Sequence, residues 1–116
     1  MNELKIESFD HPSGGGVVVV SVSGPADLAG LPFLERNLNA LAQRKPQRVV
    51  FDLSALTFIA SLSIGAIIAF HNAANRWGGK VSLAGANDMI ANTLKRVRID
   101  AMLPVYPSLD EAVKAN

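Results

Sequence analysis

The run VVFDLSALTFIAS, residues 49–61, together with the helix-like segment after it, decides the fold. Residues 48–53 (RVVFDL) are β-branched and aromatic with no polar alternation, so they read as a strand buried on both faces. From about residue 62 to 77 the pattern predicts a helix, stopped by Gly78-Gly79, since glycine readily takes the left-handed cap. Ser61 is a good N-cap candidate for this helix and Ser63 the next best, because a side-chain oxygen there can accept an unpaired first-turn N–H. Ser63, Gly65, Ala66, Ala69 and Ala73 are small, so the helix can approach a sheet or a partner closely. Composition alone describes a capped, tightly packed core helix.

Working outward, KVSLA (80–84) is the next strand. Upstream, VVVVSVS (17–23) reads as an interior strand and LKIESF (4–9) alternates like a half-buried one. HPSGGG (11–16) between them is a turn, which makes the two an antiparallel hairpin. Gly24-Pro25 is expected to end the second strand. Leu31-Pro32 then opens a helix, with proline tolerated in the first turn. Leu31, Leu34, Leu38, Leu41 and Ala42 recur at helical spacing, Arg44-Lys45 lie at its C-terminal end, and Pro46 stops it. A short helix is predicted from Asp88 to about Arg96, capped by Asn87. A brief strand follows at 104–106, then a last helix capped by Ser108 with Glu111 three residues on.

The order is β-β-α-β-α-β-α-β-α. Strand–helix–strand units with short connections require parallel pairing and right-handed crossovers. The expected fold is α/β: one domain spanning 1–116, with a small mixed, mostly parallel sheet covered by about four helices. Ligands and partners of such sheets meet the carboxyl ends of the strands. That edge receives the loops Gly24–Gly30, Ser54–Ser61 and Gly85–Asn87.

The composition narrows the function. Of 116 residues, 49% are hydrophobic, enough for a core and against general disorder. Charged residues are 18%, below the ~25% typical of soluble domains, which suits a surface that docks on another protein. Eleven Lys+Arg against 10 Asp+Glu leave a net charge of +1, too balanced for bulk capture of nucleic acid or anionic lipid. The absence of cysteine excludes disulfides, thiol catalysis and thiolate metal sites. MNELKIESFD (1–10) has no basic region followed by an apolar one, so a cytoplasmic location is expected. Residues 53–75 carry no charge, but serines, Thr57, His71 and asparagines interrupt them, so no membrane insertion is expected.

Catalysis finds little support. His11 sits in a glycine-rich turn and His71 in mid-helix, where it reads as a surface or satisfied core histidine. Neither has metal-ligand spacing, no serine sits in a nucleophile elbow, and no metal or cofactor is expected. Asp52 reads as a capping or loop-ordering carboxylate. Gly14-Gly15-Gly16 lead into a strand rather than a helix and lack the lysine of a phosphate loop. The basic run Lys95-Arg96-Val97-Arg98 falls at a helix C-terminus, where cations are favoured anyway.

Here the chain resembles a known family. Gly24-Pro25-Ala26-Asp27 is similar to a family Gly-Glu-Leu-Asp, and residues 49–61 to VVLDLSGVTFIDSSG. Lys80–Gly85 is similar to G-x-x-L-x-LAG, and RIDAMLPVYPSLDEAV (98–113) to GLDxLFPIYxSxEEAL. The chain resembles STAS domains of the bacterial anti-sigma factor antagonist type. The resemblance implies a binding module and no enzyme. A serine at the start of the second helix is phosphorylated there by an anti-sigma factor with serine kinase activity, and a PP2C-type phosphatase resets it. On this resemblance Ser61 is the phosphorylated serine, with Ser63 the runner-up, and Asp27 faces the partner. The residues expected to meet the partner are Asp27, Ala60, Ser61, Leu62, Ser63, Gly85 and Asn87. The chain departs from the family's Asp-Ser-Ser-Gly-Leu-Gly, which here is Ala60-Ser61-Leu62-Ser63-Ile64-Gly65. A second reading keeps the fold: STAS domains also serve as accessory subunits of transporters, including lipid-transport ATPases, without a phosphorylation cycle. A small hydrolase or nucleotide-binding enzyme is a third.

Overall fold

The computed structural model of the chain describes residues 3–115. Lys5–Asp10 (β1) and Val17–Ala26 (β2) form the antiparallel hairpin. It is closed by a turn in which the His11 N–H donates to the Val17 carbonyl at 2.8 Å. Leu31–Gln43 (α1) leads to Arg48–Asp52 (β3), which pairs with β2 in parallel. Leu56–Ile59 (β4), Ser61–Arg76 (α2), Lys80–Ala84 (β5), Asp88–Arg96 (α3), a 3-10 turn at Ile99–Ala101, Val105–Tyr106 (β6) and Leu109–Lys114 (α4) complete the order. The six-stranded sheet runs β1-β2-β3-β5-β6, with β4 attached to β2. Apart from β1 with β2, every strand pair is parallel.

The run of four valines shows why alternation is missing from the central strand. Val18, Val20 and Val22 enter the larger core with Leu34 and Leu38 of α1, Phe51 of β3, and Ile67 and Phe70 of α2. Val17 and Val19 point to the opposite side, where Val50, Ala84 and Ala112 form a second core with Leu109 and Val113 of α4. A strand covered on both faces must be apolar at every position. Phe51 and Phe70 meet edge to face with ring centroids 5.8 Å apart, and Trp77 extends the stack from Phe70 at 6.1 Å. The Trp77 indole N–H donates to the Pro46 carbonyl at 2.8 Å, satisfying its polar end.

The caps behave as local chemistry dictates. Asn87 Oδ1 accepts the Ile90 N–H at 2.9 Å and Ser108 Oγ the Glu111 N–H at 3.2 Å. The Asp52 carboxylate accepts the Ser54 N–H at 3.1 Å, ordering the turn after β3 as expected.

Two expectations need correction. β2 does not end at Gly24-Pro25 but continues to Ala26, and the stretch read as a loop before α2 contains β4. Gly24 pairs with Leu56, Pro25 with Phe58 and Ala26 with Ile59, with an irregular register between Gly24 and Pro25. Proline, which cannot donate to a ladder, is tolerated at such an irregularity. Gly24 has φ +81° and its backbone passes so close to the Glu3 carbonyl that a Cβ would lie 2.5 Å from that oxygen. Only glycine fits there.

Candidate partner-binding rim

The carboxyl ends of the parallel strands gather the loop between β2 and α1, the strand β4, the start of α2 and the loop between β5 and α3. Backbone and side-chain bonds tie them together. The Ala60 N–H donates to the Ala26 carbonyl at 2.8 Å, and the Ser63 hydroxyl donates to the same oxygen at 2.9 Å. Both lone pairs of that carbonyl are thus occupied, and the start of α2 is clamped to the end of β2. Asn87 Nδ2 donates to the Leu56 carbonyl at 3.3 Å, joining the β5–α3 loop to β4. Gly85, with φ +76°, brings that loop against Asp52 and Ser54.

These bonds separate two serines that the sequence could only rank. Ser61 is exposed at the first helical position of α2. Ser63 is completely buried, at 0% exposure, with its hydroxyl turned inward to Ala26. Neither is the N-cap. That position falls to Ala60, which is extended (φ −81°, ψ 154°) and offers no side-chain oxygen to the first turn. The expected caps fail because the chain enters α2 one residue earlier, held by the Ala60 and Ser63 bonds to β2. Ser63 is therefore no surface residue and offers neither a partner nor a kinase a hydroxyl.

The other expected rim residues are assembled at this edge with different freedom. Asp27 is half-buried, and one of its oxygens accepts the Gly30 N–H at 2.9 Å, bracing the entry to α1. It borders a depression of about 380 Å³ that Phe33 and Leu4 also line. Ala60 and Gly85 are half-buried; Leu62 and Asn87 are exposed. The Asn87 side chain is committed to its cap and to Leu56, so its contribution is to shape the loop.

Of the apolar residues that dominate this rim, the sequence singled out Leu62 alone. Leu28 in the β2–α1 loop, Phe58 on β4, Leu62 on α2 and Met89 on α3 are 62%, 49%, 60% and 56% exposed. Large apolar groups grouped at one edge mark an interaction surface far better than scattered ones do. No alternation marked Phe58: within Leu56–Ile59 the buried positions are Leu56 and Ile59, so Phe58 is exposed although a period of two would place it with Leu56. Leu28 and Met89 carry no periodic mark either.

A family model described as the STAS domain matches residues 9–112. The chain belongs to the STAS domain family. A solved relative, an anti-sigma factor antagonist from Mycobacterium paratuberculosis, is 29% identical with a TM-score of 0.86, covering 96% of this chain and 92% of that one. The STAS domain of a SulP transporter from Vibrio cholerae is 24% identical with a TM-score of 0.67, covering 85% and 79% respectively. The phosphorylated form of the Bacillus cell-fate determinant SpoIIAA is 12% identical with a TM-score of 0.67 over 96% of both chains. These last two share the fold.

The STAS assignment gives the uncharged stretch its place: it is divided among the turn after β3, the strand β4 and α2. Among the described residues no helix is long and apolar enough to cross a membrane. Nor, among those residues, does any group of three or more His, Asp or Glu lie placed to hold a metal ion. His71 departs from the expected satisfied histidine, because its Nδ1 is buried without a hydrogen-bond partner.

Proposed function

We propose that this STAS domain is a non-enzymatic anti-sigma factor antagonist whose apolar rim docks on an anti-sigma factor with serine kinase activity. Phosphorylation of Ser61 by that partner releases it, and a PP2C-type phosphatase restores the hydroxyl. The observation that carries this reading is the position of Ser61: exposed, on the first turn of a 16-residue helix, beside exposed Leu62 and among the rim elements that carry Phe58, Leu28 and Met89. The likeness to the mycobacterial antagonist supports the class of partner.

The physics of the switch is simple. A phosphoryl group brings about −1.5 to −2 charges and three acceptor oxygens. At a helix N-terminus its own fold tolerates it, because anions there gain ~0.3–1 kcal/mol. Against a partner's apolar surface the same group loses water without gaining a counter-charge, which costs several kcal/mol. A loss of even ~3 kcal/mol is more than a hundredfold in affinity. Docking is thereby abolished with the domain still folded.

The test is a pair of substitutions. Ser61→Asp is expected to keep the wild-type unfolding midpoint and lose the anti-sigma factor in a calorimetric titration, while Ser61→Ala binds and resists phosphorylation by the kinase and ATP. Equal binding by both variants, with phosphate mapped elsewhere by mass spectrometry, would remove the switch from Ser61.

A second reading has its own support. Ala60 stands where the resemblance has an aspartate, which removes an acidic neighbour from the phosphorylated serine, and transporter STAS domains share the fold. On that reading the same rim binds a transport ATPase or a membrane transporter without a phosphorylation cycle. Co-purification of a transporter subunit in place of a kinase-fold partner distinguishes the two.

A further inference from the structure

The two edges of the sheet are unequal. β6 closes one of them with two residues, paired to Leu83 and Ala84, which leaves a notch beside the first half of β5. β1 closes the other with six residues, five of them exposed, and among the described residues no strand lies beyond it. An open edge is a row of unpaired N–H and C=O groups, a template for another strand, and natural sheets blunt it with short strands, prolines or bulges. β6 is short. β1 has neither a proline nor a break in its ladder to β2.

The ladder fixes which groups face outward. The His11 N–H donates to the Val17 carbonyl, so these two residues form a hydrogen-bonded pair. Such pairs alternate with non-bonded ones along antiparallel strands. In the β1–β2 register Phe9 with Val19, Glu7 with Ser21 and Lys5 with Ser23 therefore turn their backbone groups toward β2. Ile6, Ser8 and Asp10 turn theirs outward. The side chains alternate as well: Ile6 packs with Leu4 against the larger core, while Lys5, Glu7 and Phe9 share the opposite face.

A second β1 fits this edge about a two-fold axis normal to the sheet, an arrangement in which one strand meets its own copy. The axis can pass through Ile6, Glu7 or Ser8. Centred on Glu7, it sets two glutamates against each other; centred on Ser8, it sets Ile6 against Asp10. Centred on Ile6, it exchanges backbone bonds between the two Ile6 residues and places each Lys5 directly opposite the other copy's Glu7. Residues opposed in that way have Cα atoms ~4.5 Å apart, where opposite charges stabilise and like charges destabilise.

We propose that β1 is a dimerisation edge whose partner is a second copy of this chain, joined through Ile6 backbone pairing and two reciprocal Lys5–Glu7 ion pairs. The two-fold reverses the strand direction, so the two rims lie at opposite ends of the dimer and both remain open. A six-residue edge is small beside the ~1,200 Å² at which stable interfaces begin, so the dimer is reversible, with a dissociation constant of about 0.05–1 mM.

The test is sedimentation equilibrium of the whole chain up to about 1 mM, with amide NMR over the same range, and it needs no anti-sigma factor. A monomer–dimer equilibrium is expected, with concentration-dependent shifts and slowed hydrogen exchange at the Ile6 and Ser8 amides. Glu7→Lys should weaken the dimer by about tenfold, and Lys5→Glu in the same chain should restore it. Ser8→Pro removes an outward N–H without touching the ladder to β2, so it should abolish the dimer at an unchanged unfolding midpoint. If that midpoint falls, the charge exchange decides. The proposal is overturned by a chain that stays monomeric, by a dimer that leaves the Ile6 and Ser8 amides unmoved, or by a double exchange that associates no better than Glu7→Lys alone.

Discussion

The two ends of the parallel strands are built on opposite principles. At the carboxyl end Leu28 of the β2–α1 loop, Phe58 of β4, Leu62 of α2 and Met89 of α3 stand in water, around a surface that carries the exposed Ser61. At the amino end the sheet is notched, and Arg48, His71 and Lys80 surround a hollow. The first is an uncovered apolar edge. The second is a concave notch, lined from both faces of the sheet. The difference teaches that residue type alone does not assign a role here. Serine hydroxyls occur at the rim both as surface groups and as internal clamps, and only the packing beneath them decides which.

The sharpest way to break this contrast is to place charge at the clamp. Ser63→Asp forces a carboxylate into a fully buried site beside the Ala26 carbonyl, and a loss of more than ~4 kcal/mol is expected, enough to unfold a marginal domain. Urea denaturation should show this collapse for Ser63→Asp and none for Ser61→Asp. Equal midpoints for the two variants would mean that Ser63 is not the clamp.

A smaller effect, confined to binding, comes from the rim itself. Replacing Phe58 and Leu62 together by serine should weaken the anti-sigma factor complex by ~2–4 kcal/mol, as loss of central apolar anchors does. The stability of the free domain should change little, because both side chains are already largely in water. Surface plasmon resonance alongside thermal unfolding checks both halves. A complex that survives the double substitution places the interface elsewhere.

Ala60→Asp tests the uncapped start of α2. An aspartate at an N-cap is worth ~0.5–2 kcal/mol over alanine, so the unfolding midpoint in urea should rise by the corresponding amount. The same variant restores the acidic neighbour of Ser61, so the rate of its phosphorylation by the kinase should rise as well. The smallest expected change is that of Lys80→Met. It should leave stability within ~0.5 kcal/mol and anti-sigma factor affinity unaltered, because the side chain is exposed and lies at the other end of the strands.

Much of this architecture was legible in the chain. Four successive valines announced an interior strand, RVVFDL one buried on both faces, Asn87 and Ser108 announced their helices, and Gly78-Gly79 announced the end of α2. These signals are local: a cap, a turn or a periodicity needs only its immediate neighbours to act. The similarity of residues 49–61 to a STAS motif marked Ser61 at the start of α2, and that of residues 98–113 supported the family.

What the tertiary structure alone decided is everything that depends on distant partners. β4 exists because β2 continues past Gly24 and offers it a ladder, which no pattern within Leu56–Ile59 reveals. The hydroxyl of Ser63 lies inward because Ala26, 37 positions away, presents a carbonyl to it. The apolar rim and the notch beside β5 each draw on several elements separated in sequence. Local sequence specifies which conformations a segment prefers, whereas burial and exposure are properties of the pairing between segments, and that pairing is fixed only when the sheet closes.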